Sequence, residues 1–219
     1  MVKKQRKQPS VRVAQKRQRA RGEILAAARA ILNESGPESV TLASVAGQLG
    51  MTKQSLYHYF SSKEALARDL VTTLLDEECE SLLQAVNKRK AGKEVLGTVI
   101  QAFYSHYVDN LDAFRTVYCQ SQLYSSSVRA LDETTLREEI HPRTRHLFDV
   151  LEDRLARPGA NKAERRRARQ LAFTAWTSAL GLMTMLSVAA ANDDPIAHSE
   201  KALVKTLANA FDGAAGLAP

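Results

Sequence analysis

The chain has 219 residues, of which 44% are hydrophobic, so it is long and apolar enough for one or two domains with a buried core. Its two cysteines, Cys79 and Cys119, show no C-x-x-C spacing, which excludes a disulfide framework and a cysteine zinc site and suits the reducing cytoplasm. The basic N-terminus lacks the apolar segment of a signal peptide.

Positive charge is concentrated at the N-terminus. Residues 1–21 carry nine basic side chains and no acid, so they hold +9 in a chain whose net charge is +7, and residues 22–219 sum to −2. Residues 1–15 are predicted to be a disordered basic arm. By itself, such a run is most often a solvated tail.

A first helix is predicted to end at Gly36-Pro37, and residues 41–60 are predicted to form two short helices joined by a tight turn. Gly50 lies where the turn needs a left-handed conformation, which glycine adopts at little cost. Thr52 can cap the second short helix with its hydroxyl. The pattern is a helix-turn-helix.

The second short helix carries hydrogen-bonding side chains where a solvated helix usually carries a Glu/Lys mixture. Leu56 and Phe60 are predicted to face inward. The outward-facing residues are Lys53, Gln54, Ser55, Tyr57, His58 and Tyr59. A helix of this kind can enter the major groove of DNA, and the basic arm directly ahead of it favours contact with nucleic acid.

Helical periodicity continues to the end of the chain, without a strand pattern or an internal repeat. Further helices are predicted over about 63–89, 93–109, 111–125, 128–157, 162–190 and 195–212. Pro142 is predicted to bend the fourth of these. The predicted fold class is all-α, with a three-helix helix-turn-helix domain over residues 16–62 and a helical bundle over residues 63–219.

Residues 171–191 contain no charge and are long enough to cross a bilayer. Thr174, Thr177, Ser178, Thr184 and Ser187 interrupt the segment, and no other segment is similar. A helix in the core or in a protein interface is therefore predicted, with no membrane association.

Sites for catalysis and metal binding are not predicted. The chain has no G-x-x-x-x-G-K, G-x-G-x-x-G or G-x-S-x-G motif. Glu138-x-x-His141 matches half of a di-iron pattern, but no second copy exists. The prediction is a non-enzyme without cofactors.

One run of sequence resembles a known family. The run T-L-A-S-V-A-x-x-L-G-M-T-K-Q-S-L-Y-H-Y-F-S-S-K-E-A-L, from Thr41 to Leu66, resembles the DNA-binding signature of TetR-family transcriptional regulators, and the resemblance extends back to about Arg17. The family often has Tyr-Tyr-His-Phe where this chain has Tyr57-His58-Tyr59-Phe60. The resemblance implies a bacterial, cytoplasmic homodimer that binds double-stranded operator DNA.

Contacts with DNA follow from the motif. Lys53, Gln54 and Ser55 are predicted to contact base edges. Phosphate contacts are predicted for Thr41, Tyr57 and Lys63. The remaining predicted DNA-binding residues are Thr52, His58 and Tyr59.

The C-terminal bundle contains more tyrosines, glutamines and other polar aromatics than a core usually buries, because each polar group needs a partner. A mostly apolar cavity with a few polar groups is typical of a small-molecule site. The resemblance implies an effector site in the same region. The predicted ligand-binding residues are Tyr104, Tyr107, Phe114, Tyr118, Gln122, Phe173, Trp176 and Met183.

The last two long helices are implied by the resemblance to form the dimer, and their apolar surfaces agree. The predicted interface residues are Leu182, Leu186, Leu203, Leu207 and Phe211. The combined hypothesis is a repressor that leaves a palindromic operator when a small, largely apolar or aromatic ligand binds. The alternatives are a non-specific nucleoid-type DNA-binding protein, or a helical-bundle enzyme or carrier.

Overall fold

The computed structural model describes residues 11–90, 92, 94–119, 133–193, 195 and 198–216. Within these ranges all regular structure is helical, which confirms the all-α prediction. The helices are α1 (Val11–Ser35), α2 (Leu42–Gln48), α3 (Lys53–Tyr57), α4 (Lys63–Asn87), α5 (Val95–Tyr107), α6 (Leu111–Phe114), α7 (Glu133–Thr135), α8 (His141–Leu155), α9 (Lys162–Ala191) and α10 (Glu200–Gly216). The contacts divide the chain into two compact units, one ending at Leu70 and one beginning at Val71.

The unit that ends at Leu70 contains α1, α2, α3 and the first turns of α4. Its core is formed by fully buried side chains from these helices and the residues that follow α3: Ile24, Ala28, Leu32, Val45, Leu56, Phe60 and Leu66. Gly36 ends α1 with φ 75°, and a 3-10 turn, Pro37–Ser39, leads to α2. Leu56 and Phe60, which the sequence predicts to face inward, are both buried in this core.

Helix α1 begins earlier than predicted. Residues 11–15, expected to be disordered, are helical, and every residue from Val11 to Arg19 is exposed. These residues are mostly Arg, Lys, Gln and Ala, which have high helix propensity, so the helix extends without burying an apolar face. The rest of the predicted arm, residues 1–10, lies outside the described residues.

The unit that begins at Val71 is built around α5, which packs against α8, α9 and α10. Gly97 on α5 marks a close approach to α10. Its N–H donates to the Asp212 carboxylate at 2.8 Å, and a β-carbon there would lie 2.9 Å from Cγ of Asp212. Glycine thus lets the side chain of α10 reach the backbone of α5.

Two π-helical turns interrupt the α-helical pattern in this unit. Arg115–Cys119 follows α6, and Leu136–Ile140 joins α7 to α8. Pro142 lies at the start of α8, directly after the second π turn. Because proline donates no N–H, an irregular turn at this point is its expected consequence. The predicted helices over 111–125 and 128–157 extend into residues outside the described ranges.

Among the described helices, only α9 is long and apolar enough to cross a membrane. Core helices of soluble proteins can have the same length and composition, so this is weak evidence for a membrane span. It packs against α5, α8 and α10. Asn161 caps it, accepting from the Ala163 and Glu164 N–H groups at 2.9 and 3.0 Å. Such a cap is typical of a helix end in water.

Candidate functional site

Helices α2 and α3 form a helix-turn-helix in which a side chain caps the start of each helix. Thr41 and Ser44 form a reciprocal capping box at α2, with both backbone-to-side-chain distances at 3.0 Å. Gly50 adopts φ 62° in the turn. The Thr52 hydroxyl accepts from the Ser55 N–H at 3.1 Å, which confirms the predicted cap of α3. The Thr52 cap and the Gly50 turn therefore determine where α3 begins and the direction of its axis after the turn.

The predicted base-reading residues differ in exposure. Lys53 and Gln54 are exposed, as is Tyr57, whose ring centroid is 6.0 Å from Nζ of Lys53. Ser55 is half-buried, and its hydroxyl lies 2.9 Å from that of Thr52. Capping of α3 thus engages the Ser55 side chain.

The other predicted DNA-binding residues lie around the same surface. Thr52, His58 and Lys63 are exposed, whereas Thr41 and Tyr59 are half-buried. The Thr41 hydroxyl is engaged by its capping box, and the Tyr59 carbonyl accepts a hydrogen bond from α1.

Arg17 and Arg21 brace the end of α3 from α1. Arg21 donates to the Tyr59 carbonyl at 2.6 Å, ion-pairs with Asp69 at the start of α4, and places its guanidinium 4.3 Å from the Phe60 ring centroid. Arg17 donates to the His58 carbonyl at 3.2 Å. Both arginines belong to the nine basic side chains of residues 1–21, and both donate hydrogen bonds to main-chain carbonyls of the protein.

Spacing was the signal that could have identified this brace. Arg17, Arg21, Ile24 and Ala28 recur at intervals of four and three, so they share one helix face, and Ile24 and Ala28 are in the core. An arginine on the face of a helix that packs into the core usually has a partner within the protein, because charged side chains are rarely buried without one.

In the unit beginning at Val71, most of the predicted ligand residues are packed in the interior. Tyr107, Phe114 and Met183 are buried, and Tyr118 and Trp176 are half-buried beside them. The rings of Phe103, Tyr107, Phe114 and Tyr118 lie within 6.4 Å of one another, mostly edge to face. Tyr107, Phe114 and Met183 are thus buried in the interior of this unit, and their role in ligand binding stays a prediction.

A buried carboxylate that the sequence analysis did not identify explains how the tyrosine hydroxyls can be buried. Glu78 on α4 is 2% exposed, and its Oε2 accepts from the hydroxyls of Tyr107 and Tyr118, each at 2.6 Å. Burial raises the pKa of Glu78, while hydrogen bonds from Tyr107, Tyr118 and Trp176 oppose that rise. Glu78 thereby supplies the partner that each buried polar aromatic group requires.

Two other predicted ligand residues lie at the surface. Tyr104 donates to the Glu200 carboxylate at 2.9 Å, and burial together with Glu200 raises its pKa to about 12. Phe173 is 52% exposed. Gln122 lies outside the described residues.

The predicted dimer-interface residues differ in burial. Leu203, Leu207 and Phe211 on α10 and Leu182 on α9 are half-buried. Leu186 was wrongly assigned: it is buried in the chain's own core, because it follows Ala179 and Met183 at helical spacing on the inward face. The exposed apolar residues in the second half of α9 include Met185, at 45%, and Val188, at 54%.

No group of three or more potential metal ligands occurs among the described residues. The interior carboxylate Glu78 is surrounded by hydrogen-bond donors instead of further ligands.

Comparison with known proteins identifies the helix-turn-helix unit. The family model described as bacterial regulatory proteins, tetR family, matches residues 24–70. Over 136 residues the chain is 26% identical to the HTH-type transcriptional regulator BetI of Brucella anthropi, covering 54% of this chain and 70% of BetI. It is 38% identical over 65 residues to the repressor KstR2 of Mycobacterium tuberculosis, covering 30% of this chain and 32% of KstR2.

Solved structures extend the likeness to both units at the level of fold. A TetR/AcrR-family transcriptional regulator from Thermobifida fusca YX-ER1 superposes with a TM-score of 0.64 and 19% identity, covering 89% of this chain and 97% of the other. A single-residue variant of TetR from Acinetobacter baumannii AYE, solved with minocycline, gives 0.59 and 19%, covering 88% and 94%.

Family model, sequence relatives and fold agree with the braced helix-turn-helix, and none of these relatives is an enzyme. Residues 24–70 therefore match the TetR family of DNA-binding transcriptional regulators, and the chain is similar to regulators of this family in sequence and in fold.

Proposed function

We propose that the protein is a homodimeric, cytoplasmic repressor that binds a palindromic operator and is released by a small, largely apolar or aromatic ligand. The observation that carries the DNA-binding part is α3. It presents Lys53, Gln54 and Tyr57 to solvent while Arg21 holds the residue two positions beyond its end. A rigidly held, outward-facing polar helix is suited to insertion in a major groove.

Within this proposal, side chains divide by role. Lys53 and Gln54 are the principal base readers, because both are exposed, and Ser55 adds a shorter contact beside them. Phosphate contacts come from Tyr57 and Lys63, and from Thr41 at the cap of α2. Thr52, His58 and Tyr59 lie around the same surface and complete it.

Dimerisation through α9 and α10 is supported by their exposed apolar surface. Met185 and Val188 project from α9, and Leu203, Leu207 and Phe211 remain half-buried on α10. Pairing two copies would bury these groups. A two-fold dimer presents two recognition helices to half-sites about 34 Å apart, which is why a palindrome is proposed.

The effector is proposed to bind in the domain over residues 63–219. A structural neighbour of the same fold was solved with minocycline. Helix α4 is continuous from Lys63, a proposed phosphate contact, to Glu78 in the interior cluster. A ligand that changes the surroundings of Glu78 therefore acts on the helix that enters the DNA-binding unit. A coupling of about 1–3 kcal/mol is typical of such effects.

The relatives include both a repressor and an activator, so both directions of regulation occur among them. KstR2 is a repressor, whereas FasR of Mycolicibacterium smegmatis, 24% identical over 151 residues, is an activator. A mobility shift with DNA from upstream of the adjacent genes, against scrambled DNA of the same composition, tests the specific function. Equal affinity for both would favour the nucleoid-type alternative, and a reporter gene under the bound site gives the sign.

A further inference from the structure

A groove of about 770 Å³ runs along α8 and the first half of α9. Two aromatic rings line it: Phe148 is buried, Phe173 is half exposed, and their centroids are 5.5 Å apart. An exposed phenylalanine beside a second ring offers a flat apolar surface to a planar or extended molecule.

Cationic side chains surround this aromatic surface. The lining includes His141, Arg145, Arg166 and Arg169, and no acidic residue. Arg169 is occupied by Asp149 and Glu152, at 2.5 and 3.3 Å. Arg145 and Arg166 form no ion pair within the ranges that the structure describes. Two guanidinium groups are therefore available beside an apolar surface.

We infer that this groove binds a small organic anion with an aromatic body, of the arylcarboxylate class. Arginine and carboxylate form two parallel hydrogen bonds, and a mostly apolar site with a few polar groups is typical of small-molecule binding. The inference rests on the proposed ligand-binding function of this domain and gives it a place and a chemistry.

Charge distinguishes this occupant from a second copy of the chain. In a two-fold contact centred on the groove, Arg145 and Arg166 would meet the same residues of the partner and repel them. The exposed apolar residues proposed for dimerisation, Met185 and Val188, lie roughly 18 and 22 Å beyond Phe173 along the axis of α9. An organic anion neutralises the arginines and covers the exposed ring.

Trp176 connects the groove to the interior. Its ring centroid lies 6.0 Å from that of Phe148 and 5.8 Å from that of Phe173. On its other side it lies 6.2 Å from Tyr118, which donates to Glu78. As the only tryptophan in the chain, it reports occupancy of the groove through one indole N–H resonance.

The test uses the full-length protein, naphthoate as the anionic probe and the uncharged naphthyl methanol as its matched control. Calorimetry should show naphthoate binding about tenfold or more tightly than the alcohol, with a shift of the Trp176 indole resonance. Arg166→Gln should weaken naphthoate binding by about tenfold. Arg167→Gln, which changes the exposed neighbouring arginine outside the groove lining, should leave it unchanged.

Three results would overturn the groove site: no naphthoate binding, equal binding of acid and alcohol, or equal effects of the two arginine changes. Operator binding is measured in parallel to separate the two levels of the proposal. If naphthoate binds through Arg166 without weakening operator binding, the groove stands and its role as the effector site fails. If naphthoate releases operator equally from wild type and Arg166→Gln, the effector role stands and the groove fails.

Discussion

The guanidinium of Arg21 donates to the main-chain carbonyl of Tyr59 at 2.6 Å, so a side chain from the first helix fixes the backbone just beyond the recognition helix. The same guanidinium pairs with Asp69 and covers the ring of Phe60. Three parts of the helix-turn-helix unit therefore share one arginine. Its contribution is geometric, since it orients the helix that would read DNA.

Replacing Arg21 by alanine should weaken operator binding without touching a residue that faces DNA. The loss of charged hydrogen bonds to the Tyr59 carbonyl and Asp69 should also lower the free energy of unfolding by about 1–3 kcal/mol. Fluorescence anisotropy with labelled operator and chemical denaturation measure the two effects. Arg19→Ala is the matched control, because Arg19 is exposed and pairs with Glu23, one turn away. Equal behaviour of both variants would refute the bracing role.

Gln54→Ala should reduce affinity for the cognate operator by about 1–3 kcal/mol and broaden the sequence preference, since a lost base contact removes discrimination. Lys63→Ala should weaken all sequences to a similar extent, because a phosphate contact carries no sequence information. Binding to a library of single-base operator variants separates these outcomes. An unchanged preference in Gln54→Ala would show that the base-reading assignment is wrong.

Glu78 should make stability depend on pH. Burial raises its pKa in the folded protein above its ordinary value of 4.5, so the folded state holds its proton more tightly than the unfolded state. Its contribution to stability is therefore complete below about pH 4.5 and is lost as the pH rises through the folded-state pKa. Denaturation of Glu78→Gln across this range should show a smaller fall than wild type. Parallel curves would contradict the assignment.

Met185→Glu combined with Val188→Glu should give a monomer by sedimentation and weaken operator binding. Both side chains are exposed in the single chain, so the charges should leave its helical content intact while placing four carboxylates in the proposed dimer seam. Lys162→Glu, at the exposed start of α9, serves as the control. A double variant that remains dimeric would place the interface elsewhere.

The exposed start of α1 should add to the salt dependence of DNA binding. Arg12 and Lys16 are exposed and precede the arginines that brace α3. Changing both to glutamine should flatten the slope of log affinity against log salt by about 1 to 2 units per protomer, because each phosphate contact contributes about 0.9. Sequence preference should persist. An unchanged slope would indicate that this segment is a solvated extension of the helix.

Periodicity and capping chemistry were sufficient to predict the helix-turn-helix. Thr52 and Gly50 act through their own side chain or backbone, so the sequence contains the whole explanation of the turn. It was harder to predict from the sequence which face of α9 packs into the core. Leu182 and Leu186 are both leucines in an uncharged stretch of helix, and only the packing of α5, α8 and α10 shows that Leu186 faces inward.

The interior cluster needed information from distant parts of the chain. The tyrosines were expected to line a cavity because no nearby partner was evident. Glu78 is 29 residues from Tyr107 and 40 from Tyr118, separations at which local patterns say nothing about contact. Leu74 and Leu82, four residues to either side, are both buried, so an acid on that stripe was the available signal.

The pairing of Gly97 with Asp212 sets the register of the C-terminal helix. The carboxylate occupies the space of an absent β-carbon on α5 and accepts that residue's N–H. Sliding α10 by one turn, about 5.4 Å, would leave this partly buried acid without its donor. The helix therefore has one favoured axial setting against α5, so a single glycine determines the height at which α10 presents the apolar residues Leu203 and Phe211.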